Sequence, residues 1–170
     1  MNTANLANRW LHVKAVAQRA EEVAGTVEPA DRCLLVAAAW LHDIGYAPDL
    51  VETGMHSLDG ARYLRRLGYP LRLAALVAHH SGARFEAIER GLTRAIVEFP
   101  DEGGLVAEAL ATADLTTGPR GQRMTFEARM AEILGRYPED STVHQAMRRA
   151  RPALAAYVQR TIERLSADQS

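Results

Sequence analysis

The stretch Asp31-Arg-Cys-Leu-Leu-Val-Ala-Ala-Ala-Trp-Leu-His-Asp-Ile-Gly-Tyr46 runs an apolar, alanine-rich segment into two adjacent metal-competent side chains, His42 and Asp43, and then a glycine. Leu35, Ala38 and Ala39 share the side that leads to His42, and Val36, Ala39 and Trp40 the side that leads to Asp43. Almost the whole circumference is apolar, so the pattern predicts a central, buried helix. Pro29 suits its first turn, and Gly45 can close it with a left-handed cap. A carboxylate at the end of such a helix is unfavourable, because burial strips its water and the C-terminal dipole repels it. A cation compensates both. Imidazole nitrogen beside carboxylate oxygen suits Fe, Mn, Co, Ni or Zn. The pair alone also fits a helix-terminal histidine beside a solvated aspartate.

The six histidines, at 12, 42, 56, 79, 80 and 144, are not scattered. Residues 4–25 read as an amphipathic helix in which Leu6, His12, Val16, Ala20 and Val23 face inward, while Lys14, Gln18, Glu21 and Glu22 face out. His56 and Ser57 open a third helix, Leu58 to Leu67, with Ser57 as its N-cap. A fourth, Leu71 to His80, carries the double histidine to its end before Ser81-Gly82. Adjacent helical residues diverge by about 100°. Both His79 and His80 therefore reach one cluster only if the helix end points at it; otherwise one binds metal and the other faces substrate or supports a ligand.

Residues 83–100 predict one or two short helices, and Leu105 to Ala113 another that ends at Asp114. Two further helices are expected over Thr125 to Arg136 and Ser141 to Leu165, the second kinked near Pro152. His144, on this polar last stretch, is expected to be exposed. No β pattern competes, so the fold class is all-α, a single-domain bundle of about six to eight helices over residues 1–170, with its core in 9–118 and C-terminal helices in 125–166.

Composition narrows the function. Net charge near −1 supplies no global field for duplex nucleic acid or an anionic membrane, so a small ligand at a local site is expected. No apolar stretch approaches a membrane span, and the N-terminus lacks a signal-peptide layout, so a cytoplasmic location is expected. The single Cys33 rules out an internal disulfide framework and reads as a small buried hydrophobe. All but one of the 20 basic residues are arginine, a side chain suited to bidentate phosphate binding. Arg9, Arg84, Arg120 and Arg123 flank the predicted site and are candidate phosphate contacts, although each also fits a solvated surface.

Arg9-Trp-Leu-His12, Leu41-His42-Asp43-Ile-Gly45, Gly54-Met-His56-Ser-Leu-Asp-Gly-Ala61, Val77-Ala-His79-His80-Ser-Gly82 and Ala111-Thr-Ala-Asp114 form an ordered set over residues 9–118. That set resembles the HD-domain superfamily of metal-dependent phosphohydrolases, in its HDIG-type, binuclear-like form. The resemblance implies Asp43 bridging two divalent ions, with His12, His42 and Asp114 on one, and His56 plus His79 or His80 on the other. It implies catalytic roles for Asp43, His79 and His80. Two metals roughly 3.5–4 Å apart would activate a shared hydroxide for in-line attack at phosphorus. Tyr46 replaces the lysine frequent in the cyclic-dinucleotide branch, and Ser81 the carboxylate that often follows the double histidine. The implied substrate is accordingly a nucleotide or other small phosphoester, with the diadenosine-polyphosphate hydrolases one related branch. Two further readings stay open, a non-haem di-iron oxygenase and a metal-stabilised ligand-binding or regulatory module without turnover.

Overall fold

A computed structural model describes residues 3–167, except for the side chains of residues 3–6, so Leu6 lies outside the described side chains, as do residues 1–2 and 168–170 altogether. Eight helices of seven residues or more are described: α1 (Thr3–Val23), α2 (Arg32–Leu41), α3 (His56–Arg66), α4 (Leu71–His79), α5 (Ala83–Glu89), α7 (Gly104–Leu115), α8 (Phe126–Arg136) and α9 (Thr142–Ala167). A single turn, α6 (Thr93–Ile96), lies between α5 and α7. Among the described residues the only strand-like pairing is one bridge between Thr117 and Arg123. The all-α expectation holds. No described helix is long and apolar enough to cross a membrane.

Three apolar clusters build the bundle. Val16, Ala20 and Val23 of α1 pack on Leu35, Ala38 and Ala39 of α2 and on Val106, Ala109, Leu110 and Ala113 of α7. Leu58, Ala61 and Leu64 of α3 pack on Ala74, Ala75, Val77 and Ala78 of α4, closed by Ile96 and Phe99. Ala111 and Leu115 of α7 meet Phe126, Met130 and Ile133 of α8 and Ala150, Leu154 and Val158 of α9. Every residue from Glu108 to Leu115 is buried, so α7, shared by two clusters, is the central helix. The sequence assigned that place to α2, but one side of α2 is open. Cys33 is exposed, and Trp40 is exposed beside Trp10 of α1, with ring centroids 5.9 Å apart.

Other local expectations change for identifiable reasons. α9 runs unbroken through Pro152, because the ring sits on the exposed side while α5 and α7 hold the opposite face. Buried Glu108 of α7 accepts hydrogen bonds from Arg160 and Arg164, which fastens the same helix. His144 is buried, its Nδ1 shared between the carbonyls of Leu134 and Tyr137 at the end of α8. α3 starts at His56, two residues earlier than the sequence pattern predicts, and Ser57 makes no cap. Instead the buried Asp59 carboxylate accepts from the backbone N–H groups of Glu52, Thr53 and Gly54 and from the Thr53 hydroxyl. That carboxylate ties the incoming loop to the first turn of α3 and sets where the helix begins.

Gly45 does not form a left-handed cap; it lies in a short turn, Ile44–Tyr46, pressed against α3. A Cβ there would stand 1.9 Å from the His56 carbonyl oxygen and 2.6 Å from the Gly60 nitrogen, both backbone atoms that cannot rotate away. This contact places His56 beside Asp43. Gly45→Ala is expected to cost about 3 kcal/mol, the upper part of the usual overpacking range, because helix and turn must separate. Urea unfolding measures it, and a loss under about 1 kcal/mol would show that the contact is not tight.

Candidate metal centre

Five elements deliver the polar cluster. His12 comes from the inner face of α1, His42 and Asp43 from the end of α2, His56 from the start of α3, His80 from just past α4, and Asp114 from the last turn of α7. Because α2, α3, α4 and α7 end or begin here, the side chains that interrupt their apolar pattern meet in one place.

Backbone carbonyls set the rings. His12 Nδ1 lies 3.0 Å from the Gly118 oxygen, His42 Nδ1 2.7 Å from that of Ala39, and His80 Nδ1 2.6 Å from that of Val77. A carbonyl only accepts, so each Nδ1 carries a proton, and in the neutral ring each Nε2 keeps its lone pair. Those lone pairs converge. His12 Nε2 faces Asp114 Oδ1 at 3.1 Å, His80 Nε2 faces His56 Nε2 at 3.2 Å, and buried His42 Nε2 has no hydrogen-bonding partner among the described residues. Asp43 sits between, with Oδ2 3.5 Å from His42 Nε2 and 3.9 Å from His12 Nε2, and Oδ1 3.5 Å from His56 Nε2.

Acceptor atoms facing one another in a buried site repel unless a proton or a metal lies between them. Among the described residues, two groups meet the distance requirement for a metal, His12 with His42 and Asp114, and Asp43 with His56 and His80, the ligand atoms within each lying no more than 4.8 Å apart. Nitrogen and carboxylate donors, rings fixed through Nδ1 and an orphaned Nε2 together fit divalent transition-metal ions.

Charge follows the same geometry. Burial would raise the Asp43 carboxyl, but His42, Arg9 and His56 outweigh it and hold the group well below the usual carboxylate range. Asp114 is likewise held low against burial, chiefly by its hydrogen bond to His12. Burial would lower His12, yet Asp114 and Asp43 raise it, so a proton on Nε2 is the natural stand-in for a cation there. Burial pushes His56 down to about 3, so its ring is neutral and ready to donate a lone pair at ordinary pH.

The double histidine divides. His80 joins the cluster, whereas His79 points away, its Nε2 donating to the Phe99 carbonyl at 2.8 Å and its Nδ1 3.8 Å from Asp101. The catalytic and metal roles expected for His79 therefore have no geometric support. Of the four expected phosphate-binding arginines, Arg9 alone lines the cavity over the cluster; its Nη1 donates to Asp43 Oδ2 at 2.5 Å. Arg84 lies near His79 and Asp101 in a different cleft, Arg120 is exposed, and Arg123 pairs with Glu22. Exposed Cys33 and buried His144 reverse their expected burial and stay outside both groups.

Sequence reasoning missed four lining residues. Ser81 has left-handed backbone, φ 47°, and donates its hydroxyl to Asp114 Oδ2. That strained non-glycine conformation turns the chain directly after His80. Tyr46 stacks on His56 with centroids 4.0 Å apart and lies 3.8 Å below the Arg9 guanidinium, so the residue that replaces the expected lysine clamps a ligand candidate. Arg129 and Arg136, on a helix beyond the recognised motifs, also line the cavity. No local pattern marked them, since an arginine every seven residues on an amphipathic helix reads as solvated.

The HD domain family matches residues 9–134. Ribonuclease Y of Roseiflexus sp. (strain RS-1) is 43% identical over 60 residues, which is 35% of this chain and 11% of that protein, so the match spans about a tenth of the relative's length. No solved structure gives a significant match. The family match includes the five elements that carry the cluster and extends through most of α8. The chain belongs to the HD domain family, which is generally one of metal-dependent phosphohydrolases.

Proposed function

We propose that the protein hydrolyses a nucleotide or other small phosphoester at a centre of two divalent cations. The observation that carries this reading is the set of Nε2 and carboxylate acceptors turned toward one another, in two groups separated by Asp43, whose oxygens face one group each. His12, His42 and Asp114 would hold one ion, Asp43, His56 and His80 the other. Ions held there would lower the pKa of a bound water toward neutrality and draw charge from a phosphoryl oxygen.

The chain's own groups do the rest. Tyr46 stays a neutral phenol, since burial raises it well above its usual range, and its ring holds His56 in plane. Ser81 orients Asp114 through its hydroxyl. Leu115, Ile133, Val143 and Met147 wall the outer cavity with apolar surface, which suits the organic part of a nucleotide and limits water. A relative named as a ribonuclease supports a nucleotide phosphoester as the substrate class.

His42→Ala and Asp43→Ala are expected to lose bound metal and phosphoester turnover together, while His79→Ala keeps its metal content. Elemental analysis of each purified variant, run beside a phosphoester panel with Mn, reads both. Full metal and full turnover in Asp43→Ala would sink the assignment.

Stoichiometry separates one ion from two. The wild type is expected to hold two equivalents and His56→Ala close to one, the remaining ion kept by His12, His42 and Asp114. Turnover in that variant should fall by at least 100-fold, about 2.7 kcal/mol in the barrier. One equivalent in both proteins would overturn the two-cation reading, and iron-dependent O₂ consumption without phosphoester cleavage would overturn hydrolysis.

A further inference from the structure

Beyond the cluster, the cavity wall formed by Arg9, His12, Arg129, Arg136 and Tyr137 is shared with a second space of about 350 Å³ that opens between α1 and α8, bounded also by Asn8, Pro119 and Glu132. Arg129 is an unusual wall residue. Its side chain is 8% exposed, yet of its N–H groups only those on Nη1 find a partner among the described residues, Glu132, and Nε is buried with none. A buried guanidinium nitrogen left without an acceptor costs free energy that a protein seldom leaves uncompensated.

Glu132 cannot be the full compensation, because it is shared. The same carboxylate takes Nε of Arg136 at 3.0 Å and its Nη2 as well. Two fixed positive charges thus share one hydrogen-bonded carboxylate, with Asp114 attracting Arg129 from the same cavity wall, and Arg9 adds a third guanidinium at the rim, itself engaged by Asp43. The arrangement is held in place. His144 binds the carbonyls of Leu134 and Tyr137, which anchors the end of α8 on either side of Arg136, and Met130 and Ile133 seat the helix in the apolar core. Rigid, partly desolvated guanidinium groups with free donors form an anion site, and phosphate matches their planar fork.

Resting on the two-cation hydrolase reading above, we infer that Arg129 and Arg136 form a subsite for a second phosphate of the substrate, next to the metal groups, so that the preferred substrate carries at least two phosphates, as in a nucleoside diphosphate. The metal-side phosphate would lie over Asp43 and Asp114, and the other in the space between α1 and α8, with the apolar wall of Leu115, Ile133 and Met147 left for the base. Glu132 gives the subsite its selectivity. It holds both arginines in register while no anion is present, and a ligand must carry enough charge to displace it from their donors.

The test compares two nucleotides on the metal-loaded full chain by titration calorimetry, with metal content measured in the same samples. AMP offers one phosphate and α,β-methylene-ADP two, joined through a methylene carbon that hydrolysis cannot break. The wild type is expected to bind α,β-methylene-ADP at least tenfold more tightly than AMP. In Arg129→Gln that ratio should fall below threefold, with AMP affinity within twofold of wild type and metal content unchanged. A wild-type ratio below tenfold, or a ratio that stays at threefold or more in Arg129→Gln, overturns the subsite. Should Arg129→Gln fail to fold by circular dichroism, the more exposed Arg136→Gln carries the test, with a threefold or greater fall in ratio expected and a smaller one overturning the inference. The hydrolase reading fails separately: AMP binding that survives metal removal would count against it while leaving the arginine subsite standing. Absence of binding by either nucleotide would overturn both.

Discussion

Two carboxylates, Asp43 and Asp114, are buried among four imidazoles, and the bundle is organised to make that tolerable. An uncompensated buried charge costs several kcal/mol, comparable with the whole margin by which a domain of this size stays folded. Protons and guanidinium groups meet part of the cost. His12 shares a proton with Asp114, Arg9 leans on Asp43, and Ser81 caps the second oxygen of Asp114. What remains is a set of inward lone pairs, those of His12, His42 and His80 fixed because the other nitrogen of each ring is bound to a backbone carbonyl one turn back or across a loop. Helix ends are well suited to this duty, since their last carbonyls have no intrahelical partner and are free to accept from a ring.

Much of the centre was legible as an order of residue types along the chain. His12, His42, Asp43, His56, His80 and Asp114 each break an apolar helical pattern at an end or on an inner face, a departure visible without coordinates. Periodicity could not choose between His79 and His80, because the answer depends on a left-handed Ser81 and Gly82 that swing the chain toward α7 and α9. Nor could it rank α2 against α7 as the central helix. Both are apolar nearly all round, and only the packing of α8 and α9 against α7 decides.

The remaining departures have one cause, which is that exposure is a property of neighbours rather than of residue type. Cys33 and Trp40 lie on a side of an apolar helix that stays exposed among the described residues. His144 and Arg129 belong to polar stretches, yet α8 and α9 close over them. Gly45 was read for the backbone freedom it offers, whereas the structure uses the space it leaves; a missing side chain has the same signature in sequence for either purpose.

The uncovered side of α2 has an optical consequence. Trp10 and Trp40 are the chain's two tryptophans, and their rings lie tilted against each other, with planes 41° apart, across the seam between α1 and α2. Each lies two residues from a metal-ligand candidate, His12 on one helix and His42 on the other. A change in separation or tilt of these helices at the buried cluster therefore alters the overlap of two indoles at the surface. The fold carries its own fluorophore pair, coupled mechanically to the centre and placed where solvent and quenchers reach it.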